Sequence, residues 1–218
     1  QLEDEDPMLG VSFEESLQEI QIRVMGEIQL EVLREVCKER FSLDISFGDC
    51  QVLYRETIAE EVVGYGHYEP LRHYAEVHLR LSPAPRGSGI SFDSECPTDI
   101  LAQNWQNLVR THVFEKKHKG VLTGSELCDV KVTLLTGRSH LKHTEGGDFR
   151  EATYRAIRQG LEQLLHQDKM ILLEPYYAFS ISLESEQAGR LMADLQRMEC
   201  SFGSPQMEEE RMILEGRG

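Results

Sequence analysis

The stretch from Val130 to Ala156, VKVTLLTGRSHLKHTEGGDFREATYRA, constrains the fold more than any other part of the chain. Val130, Val132 and Leu134 alternate with Lys131 and Thr133, a period-two pattern that puts three apolar side chains on one face of a strand. The period then changes. From Asp148, read as an N-cap, Phe149, Ala152, Ala156, Ile157, Gly160, Leu161, Leu164 and Leu165 fall at the three-to-four spacing of one buried helix face. Strand and helix therefore share a core, and Thr136 to Gly147 reads as a connection of about a dozen residues between them. It carries Arg138, Ser139, His140, Lys142, His143 and Thr144, with Leu141 nearly its only apolar side chain. A connection that long between two firm elements is usually functional or disordered, although spacing alone fits equally a solvated link whose histidines are incidental.

Charge bears on what such a loop could meet. The 218 residues carry a net charge of -15, which argues against a general nucleic-acid binder, but the charge is unevenly spread. Residues 1–48 carry -8, 49–173 only -2, and 174–218 carry -5. In the near-neutral middle the positive charge is bunched, at Lys116, Lys117, His118 and Lys119 and at Arg138, Lys142, Arg150, Arg155 and Arg158. Such clusters can meet phosphates on an acidic protein, while the 116–119 run fits a solvated face as well. The five cysteines form no CxxC pair and read as reduced, mostly buried thiols rather than a zinc site or a disulfide frame. No apolar run of about 18 residues and no signal peptide occurs, so a soluble cytoplasmic protein is expected.

Taken in order, Leu9, Val11 and Phe13, then Ile20, Ile22 and Val24, alternate around a turn at 14–16, the pattern of a hairpin. Ile28, Val32, Leu33 and Val36 give a helical stripe, and Phe41 to Phe47 reads as a third strand, completing a ββαβ unit. A boundary is placed at Gly48 to Cys50. Beyond it come a strand from Gln51 to Ile58, a Gly-punctuated loop from Glu60 to Pro70 carrying Tyr65, His67 and Tyr68, and strands at Leu71 to Leu81 and Ile90 to Cys96. Pro83 to Gly89 is a turn and not a phosphate loop, because no GK[ST] follows. A helix is expected from Thr98 to Lys117, with Trp105 as a core anchor rather than a stacking platform. This middle body should hold its two helices against a single sheet. After a second boundary at Glu174–Pro175, Tyr177, Phe179, Ile181 and Leu183 alternate. Ser185 reads as an N-cap, Ala188, Leu191, Met192 and Leu195 form a helix stripe, and strands follow at Cys200 to Met207 and Arg211 to Glu215.

The motifs MGEIQLEVL (Met25 to Leu33), YRETI (Tyr54 to Ile58), GSGISFDS (Gly87 to Ser94), VKVTL (Val130 to Leu134), DFREA (Asp148 to Ala152) and LLEPYY (Leu172 to Tyr177) are each weak. In this order and at these intervals the chain resembles the C-terminal half of translational GTPases of the elongation factor G superfamily. Within that superfamily it resembles the tetracycline-resistance ribosomal protection proteins. The resemblance covers nearly the whole chain. It implies an α+β fragment: residues 1–48 as the end of a ferredoxin-like domain III, 49–173 as domain IV, and 174–218 as the start of a ferredoxin-like domain V. Domain IV would have a ribosomal protein S5 domain 2-like fold with a left-handed βαβ crossover.

The same resemblance implies a function. Domain IV would reach the small-subunit decoding site through two tip loops, here Val63 to His73 and Thr136 to Gly147, during translocation or tetracycline release. The ribosome-contacting residues would be Arg138, Ser139, His140, Leu141, Lys142, His143 and Thr144 from one loop, and Tyr65, His67 and Tyr68 from the other. His140 falls where the elongation factors carry a histidine, whereas the protection proteins have a Tyr-Ser-Pro-Val-Ser-like turn. The sequence His140-Leu141-Lys142-His143-Thr144 lacks that tyrosine and proline, a departure that bears on drug displacement rather than ribosome binding. GTP and magnesium would belong to an N-terminal domain absent from this sequence, so no cofactor, catalytic residue or metal is expected here. The partners would be ribosomal RNA and the GTPase domains of the same protein, with no membrane.

Two other classes fit some of the residues. A metal-dependent enzyme would use His140 and His143 as ligands, or His140 as a general base with Asp148, but the loop supplies few carboxylates to orient a metal. A protein-interaction scaffold would instead use the acidic flanks.

Overall fold

The structure, a computed structural model, describes residues 2–14, 19–50, 52–208 and 211–218, and the chain divides into two compact units, 1–51 and 52–218.

In the first unit, helix α1 (Leu2–Glu5) leads into a 3-10 turn, Pro7–Leu9, where the Asp6 side chain accepts from the Met8 amide at 3.1 Å. Strands β1 (Ser12–Glu14) and β2 (Glu19–Gln21) pair antiparallel with Phe13 opposite Ile20. The hairpin forms, but it is shorter than the alternation suggested, because the 3-10 turn takes up Leu9; most of the expected turn at 14–16 lies outside the described residues. Helix α2 (Glu27–Phe41) ends on Ser42, whose left-handed backbone (φ 54°) returns its amide to the carbonyls of Cys37 and Lys38. The strand expected at Phe41–Phe47 does not form: Phe41 closes the helix, Ser42 redirects the chain, and residues 42–50 join no sheet. Only Leu9 and Cys37 are buried among the described residues of this unit, and Ile28 and Val32 of the apolar stripe are exposed.

The second unit is α+β with mixed sheets. Strands β3 (Arg55–Ile58), β4 (Val62–Tyr68), β5 (Ala75–Pro83) and β6 (Ile90–Ser94) precede helix α3 (Gln103–Phe114). Then come β7 (Glu126–Leu127), β8 (Val130–Ser139), helix α4 (Gly146–His166) and β9 (Met170–Leu173). Two sheets result, and both helices lie against one of them, the four-stranded sheet. One is ordered β7-β3-β9; the other, β4-β5-β8-β6, has β6 parallel to β8 and its remaining pairs antiparallel. Ala75, Val77, Leu79 and Leu81 of β5 and Val130, Val132 and Leu134 of β8 are buried against α3 and α4, as their alternation requires. Trp105 is half-buried and stacks on Phe149, ring centroids 5.3 Å apart, which matches its reading as a core anchor.

The stretch read as a Gly-punctuated loop is strand β4. Its glycines are demanded by space rather than by backbone conformation, since neither Gly64 nor Gly66 has a positive φ. A Cβ on Gly64 would lie 2.0 Å from the carbonyl oxygen of Ala156, and one on Gly66 would lie 1.8 Å from that of Ala152. Glycine on the strand and alanine on the helix thus let α4 lie directly on β4. As the edge of its sheet, β4 would expose unpaired amides and carbonyls, and α4 covers them. Arg155, Gln159 and Gln163, one helical turn apart, bond to His67 O at 3.0 Å, Tyr65 N at 2.9 Å and Val63 O at 3.0 Å.

Glu56 of the YRETI motif is fully buried and holds the loop before β7. Its carboxylate accepts from the amides of Leu122, Thr123 and Ser125 and from the Thr123 hydroxyl, at 2.8–3.1 Å. Burial pushes this carboxyl up, but the donors outweigh it and hold it below the usual range.

A separate antiparallel sheet closes the unit. Strand β10 (Ala178–Glu184) pairs with β13 (Arg211–Arg217), which also takes β11 (Ser201–Phe202) and β12 (Gln206–Glu208). Helix α5 (Ala188–Arg197) starts from a 3-10 turn at Ser185–Gln187 and buries Leu195 against Met212 and Leu214.

Candidate nucleic-acid interface

The connections β4–β5 and β8–α4 leave the same end of the four-stranded sheet, because Tyr68 pairs with Ala75 and Ala75 with Ser139. The second connection is shorter than expected. β8 stays paired with β5 past an irregularity at His78/Leu79 as far as Ser139, and α4 begins at Gly146, so only His140–Glu145 is loop. Asp148 is accordingly not the N-cap. It lies in the first turn, where its Oδ2 accepts from the Glu145 amide at 2.8 Å and its Oδ1 lies 2.8 Å from His73 Nδ1. Of the expected contact residues, Tyr65, His67 and Tyr68 sit on β4 beside α4 and not in a loop, with Arg155 over the Tyr68 ring at 5.0 Å. The β4–β5 loop proper is Glu69–Tyr74.

The two loops are tied into one body. Tyr74 N donates to His143 O at 2.7 Å, and Thr144 Oγ1 bridges the Tyr74 carbonyl (2.7 Å) and the His140 amide (2.6 Å). The His140 and His143 rings stack at 4.5 Å, and His140 Nδ1 accepts from the Lys142 amide at 3.3 Å. His140 is thus engaged within its own loop. Leu141, in contrast, is fully exposed, and Lys142 and Arg138 stand out to solvent. An open cleft of about 630 Å³ between the loops is lined by Glu69, Tyr74, Arg138, Ser139, His140, Leu141 and Lys142. The sequence reading missed Leu71 (90% exposed) and Arg72 at the apex of the first loop.

Many cations of the unit are taken up by carboxylates. Arg80, Lys117, Lys131, Arg150, Arg158 and Lys169 each pair with a carboxylate. Much of the 116–119 run is also taken up, with Lys116 Nζ 3.2 Å above the Tyr154 ring and His118 buried on Val113 O, while Lys119 is exposed. Among the described residues, Arg72, Arg138 and Lys142 have no carboxylate partner. No three His, Cys, Asp or Glu side chains among the described residues are grouped to hold a metal ion, and no helix among them is long and apolar enough to cross a membrane.

A family model described as elongation factor G, domain IV matches residues 50–163, more than half of the chain. The chain belongs to the elongation factor G domain IV family. Curated relatives extend the likeness to either side of that domain. The tetracycline resistance protein TetP of Clostridium perfringens is 27% identical over 99% of the chain. Elongation factor G 1 of Syntrophomonas wolfei is 29% identical over 97%, and an elongation factor G-like protein of Thermotoga maritima 28% identical over 89%. The chain spans about a third of the length of these relatives, 28–32%. A crystal structure from Thermus thermophilus superposes with a TM-score of 0.78 at 24% identity over 99% of this chain and 32% of its own, which shows a shared fold. In this member of the family, the end of the domain IV sheet bearing the two tied loops gathers three cations without a carboxylate partner, Arg72, Arg138 and Lys142.

Proposed function

We propose that this chain is the ribosome-binding part of a translation factor, with the end of domain IV formed by Glu69–Tyr74 and His140–Glu145 contacting RNA of the small-subunit decoding site. The observation that carries the reading is the gathering of three cations without carboxylate partners, Arg72 and Lys142 on the tied pair of loops and Arg138 beside them at the end of β8, in a protein of net charge -15. Cations without carboxylate partners are free to replace the counterions of a phosphate backbone. The family resemblance supplies the expected partner and the flanking assignments: domain III before residue 49, an S5 domain 2-like domain IV, and domain V from residue 174. GTP and magnesium would be handled by another part of the same protein, and the compartment would be the cytoplasm. The test is titration of the 218-residue chain onto purified small ribosomal subunits over a range of salt. Binding that weakens with salt, with a slope lowered by about one counterion in Lys142→Ala, supports the reading. Binding indifferent to salt and to Lys142 would refute it.

A further inference from the structure

The two loops at the end of domain IV share a local pattern, Pro70-Leu71-Arg72-His73-Tyr74 and His140-Leu141-Lys142-His143-Thr144. In each, a leucine is followed by a cation and then a histidine, and each closes a four-residue turn. His73 N donates to Pro70 O at 2.9 Å, and His143 N donates to His140 O at 3.1 Å. Each leucine is therefore the second residue of its turn, at the corner, and each cation is the third. Leu71 and Leu141 are also the two most exposed large apolar side chains among the described residues, at 90% and 106%.

Both corners are held in place. Arg72 adopts a left-handed backbone, φ 66°, which costs a non-glycine residue about 1 kcal/mol or more and persists only where its surroundings enforce it. Here the Pro70–His73 hydrogen bond and the contact of His73 Nδ1 with buried Asp148 enforce it. In the second turn, the His140–His143 stack and the Lys142 amide bound to His140 Nδ1 hold the backbone that carries Leu141. The histidines position the turns and the leucines face outward. The bonds from Tyr74 to His143 and from Thr144 to Tyr74 then fix one turn against the other.

We propose that these twin turns form an apolar wedge for an unpaired or weakly stacked step of RNA. Leu71 and Leu141 pack against base faces, and Arg72 and Lys142 take the adjoining phosphates. This deepens the ribosomal reading and rests on it. A lone exposed leucine has no need of a partner, but two on tied turns, each followed by an unpaired cation, match the pairing of apolar insertion with phosphate contact by which proteins enter base steps. The same wedge chemistry could enter a lipid surface; the ribosomal reading on which the proposal rests makes RNA the occupant, and a lipid surface is an outcome of the test.

The test uses the 218-residue chain, Leu71→Ala, Leu141→Ala and the double variant, with purified small subunits and with two RNA hairpins, one fully paired and one holding an internal loop marked by a fluorescent adenine analogue. Both leucines are exposed, so the variants should melt as wild type does. Wild type should bind small subunits, prefer the internal loop and change the analogue's emission. Each leucine variant should lose about tenfold in affinity with an unchanged salt slope, and the double variant should lose the preference. Wild type failing to bind small subunits at all would remove the ribosomal reading itself. Wild type binding with the leucine variants unaltered would leave that reading standing and overturn the wedge. Leucine-dependent binding to phosphatidylserine vesicles, with RNA binding unaltered, would overturn it in favour of a membrane.

Discussion

Gly66→Ala should remove a large part of the stability of the domain IV core, because the new methyl meets backbone rather than a side chain able to turn away. Its Cβ would lie 1.8 Å from the Ala152 carbonyl oxygen, 2.8 Å from its carbon and 2.9 Å from the Ala156 amide. Restoring ordinary contact at 3.4 Å needs helix and strand to part by about 1.6 Å along that line. A shift of that size breaks the bonds from Arg155, Gln159 and Gln163 to the β4 edge, each worth about 1 kcal/mol. Overpacking adds about 1–3 kcal/mol more, so the cost is about 4–6 kcal/mol out of a typical total of about 5–15. The control is Gly147→Ala, whose Cβ meets nothing within 4 Å and whose φ is not positive. Placed in the first turn of α4, it should be neutral or stabilise by about 0.5 kcal/mol through helix propensity. Urea unfolding of both variants, followed by Trp105 fluorescence, compares them directly. A Gly66→Ala protein within about 1 kcal/mol of wild type would show that α4 does not lie on β4 as described.

Further outcomes follow from buried charge and from the loops. Glu56 has its carboxyl held below the ordinary value of 4.5, so its contribution is present above that value and is lost as pH falls through the lower folded one; Glu56→Gln should cost about 2–3 kcal/mol at neutral pH and flatten the acid limb of the stability curve. For Glu115, burial acts upward, but Tyr154, His112 and Arg150 bring the carboxyl down to about 2, although His112 Nδ1, at 3.0 Å, is poorly aligned for a hydrogen bond. Burial and that carboxylate push Tyr154 up to about 12. Ultraviolet titration should find one tyrosine ionising near there, and Glu115→Gln should move it back toward 10, whereas an unmoved titration would break the pairing. Arg138→Ala should lower the salt slope of small-subunit binding by about one counterion, while Lys131→Ala, whose cation is already paired with Asp93, should leave it unchanged.

Much of the fold was legible because burial follows period. The alternation at Val130, Val132 and Leu134 and the Phe149–Leu164 stripe became the buried faces of β8 and α4 with little change. Strand β4 was not legible, because glycines at 64 and 66 are also the residues of a turn; only the helix carbonyls lying against them reveal that they mark a close approach. The end of β8 is hidden for a related reason, since Thr136–Ser139 have weak strand character by themselves and are held by β5. Asp148 has the chemistry of an N-cap, but Glu145 takes that position and Asp148 stands at the third helical one. At the loops, histidine and charge are the conspicuous features of the sequence. The signal that could have found the apex was the repeat of Leu-cation-His at 71–73 and 141–143, which no periodicity count registers.

The most direct test of the ribosomal role places a photocrosslinker at position 142, at the second turn, and another at position 88, in the turn beyond the opposite end of β5. Each protein is bound to intact ribosomes and irradiated, and the linked RNA is mapped by primer extension. Position 142 should link to small-subunit RNA of the decoding region while position 88 does not. Equal linkage from both positions, or linkage from position 142 only to protein or to large-subunit RNA, would contradict it.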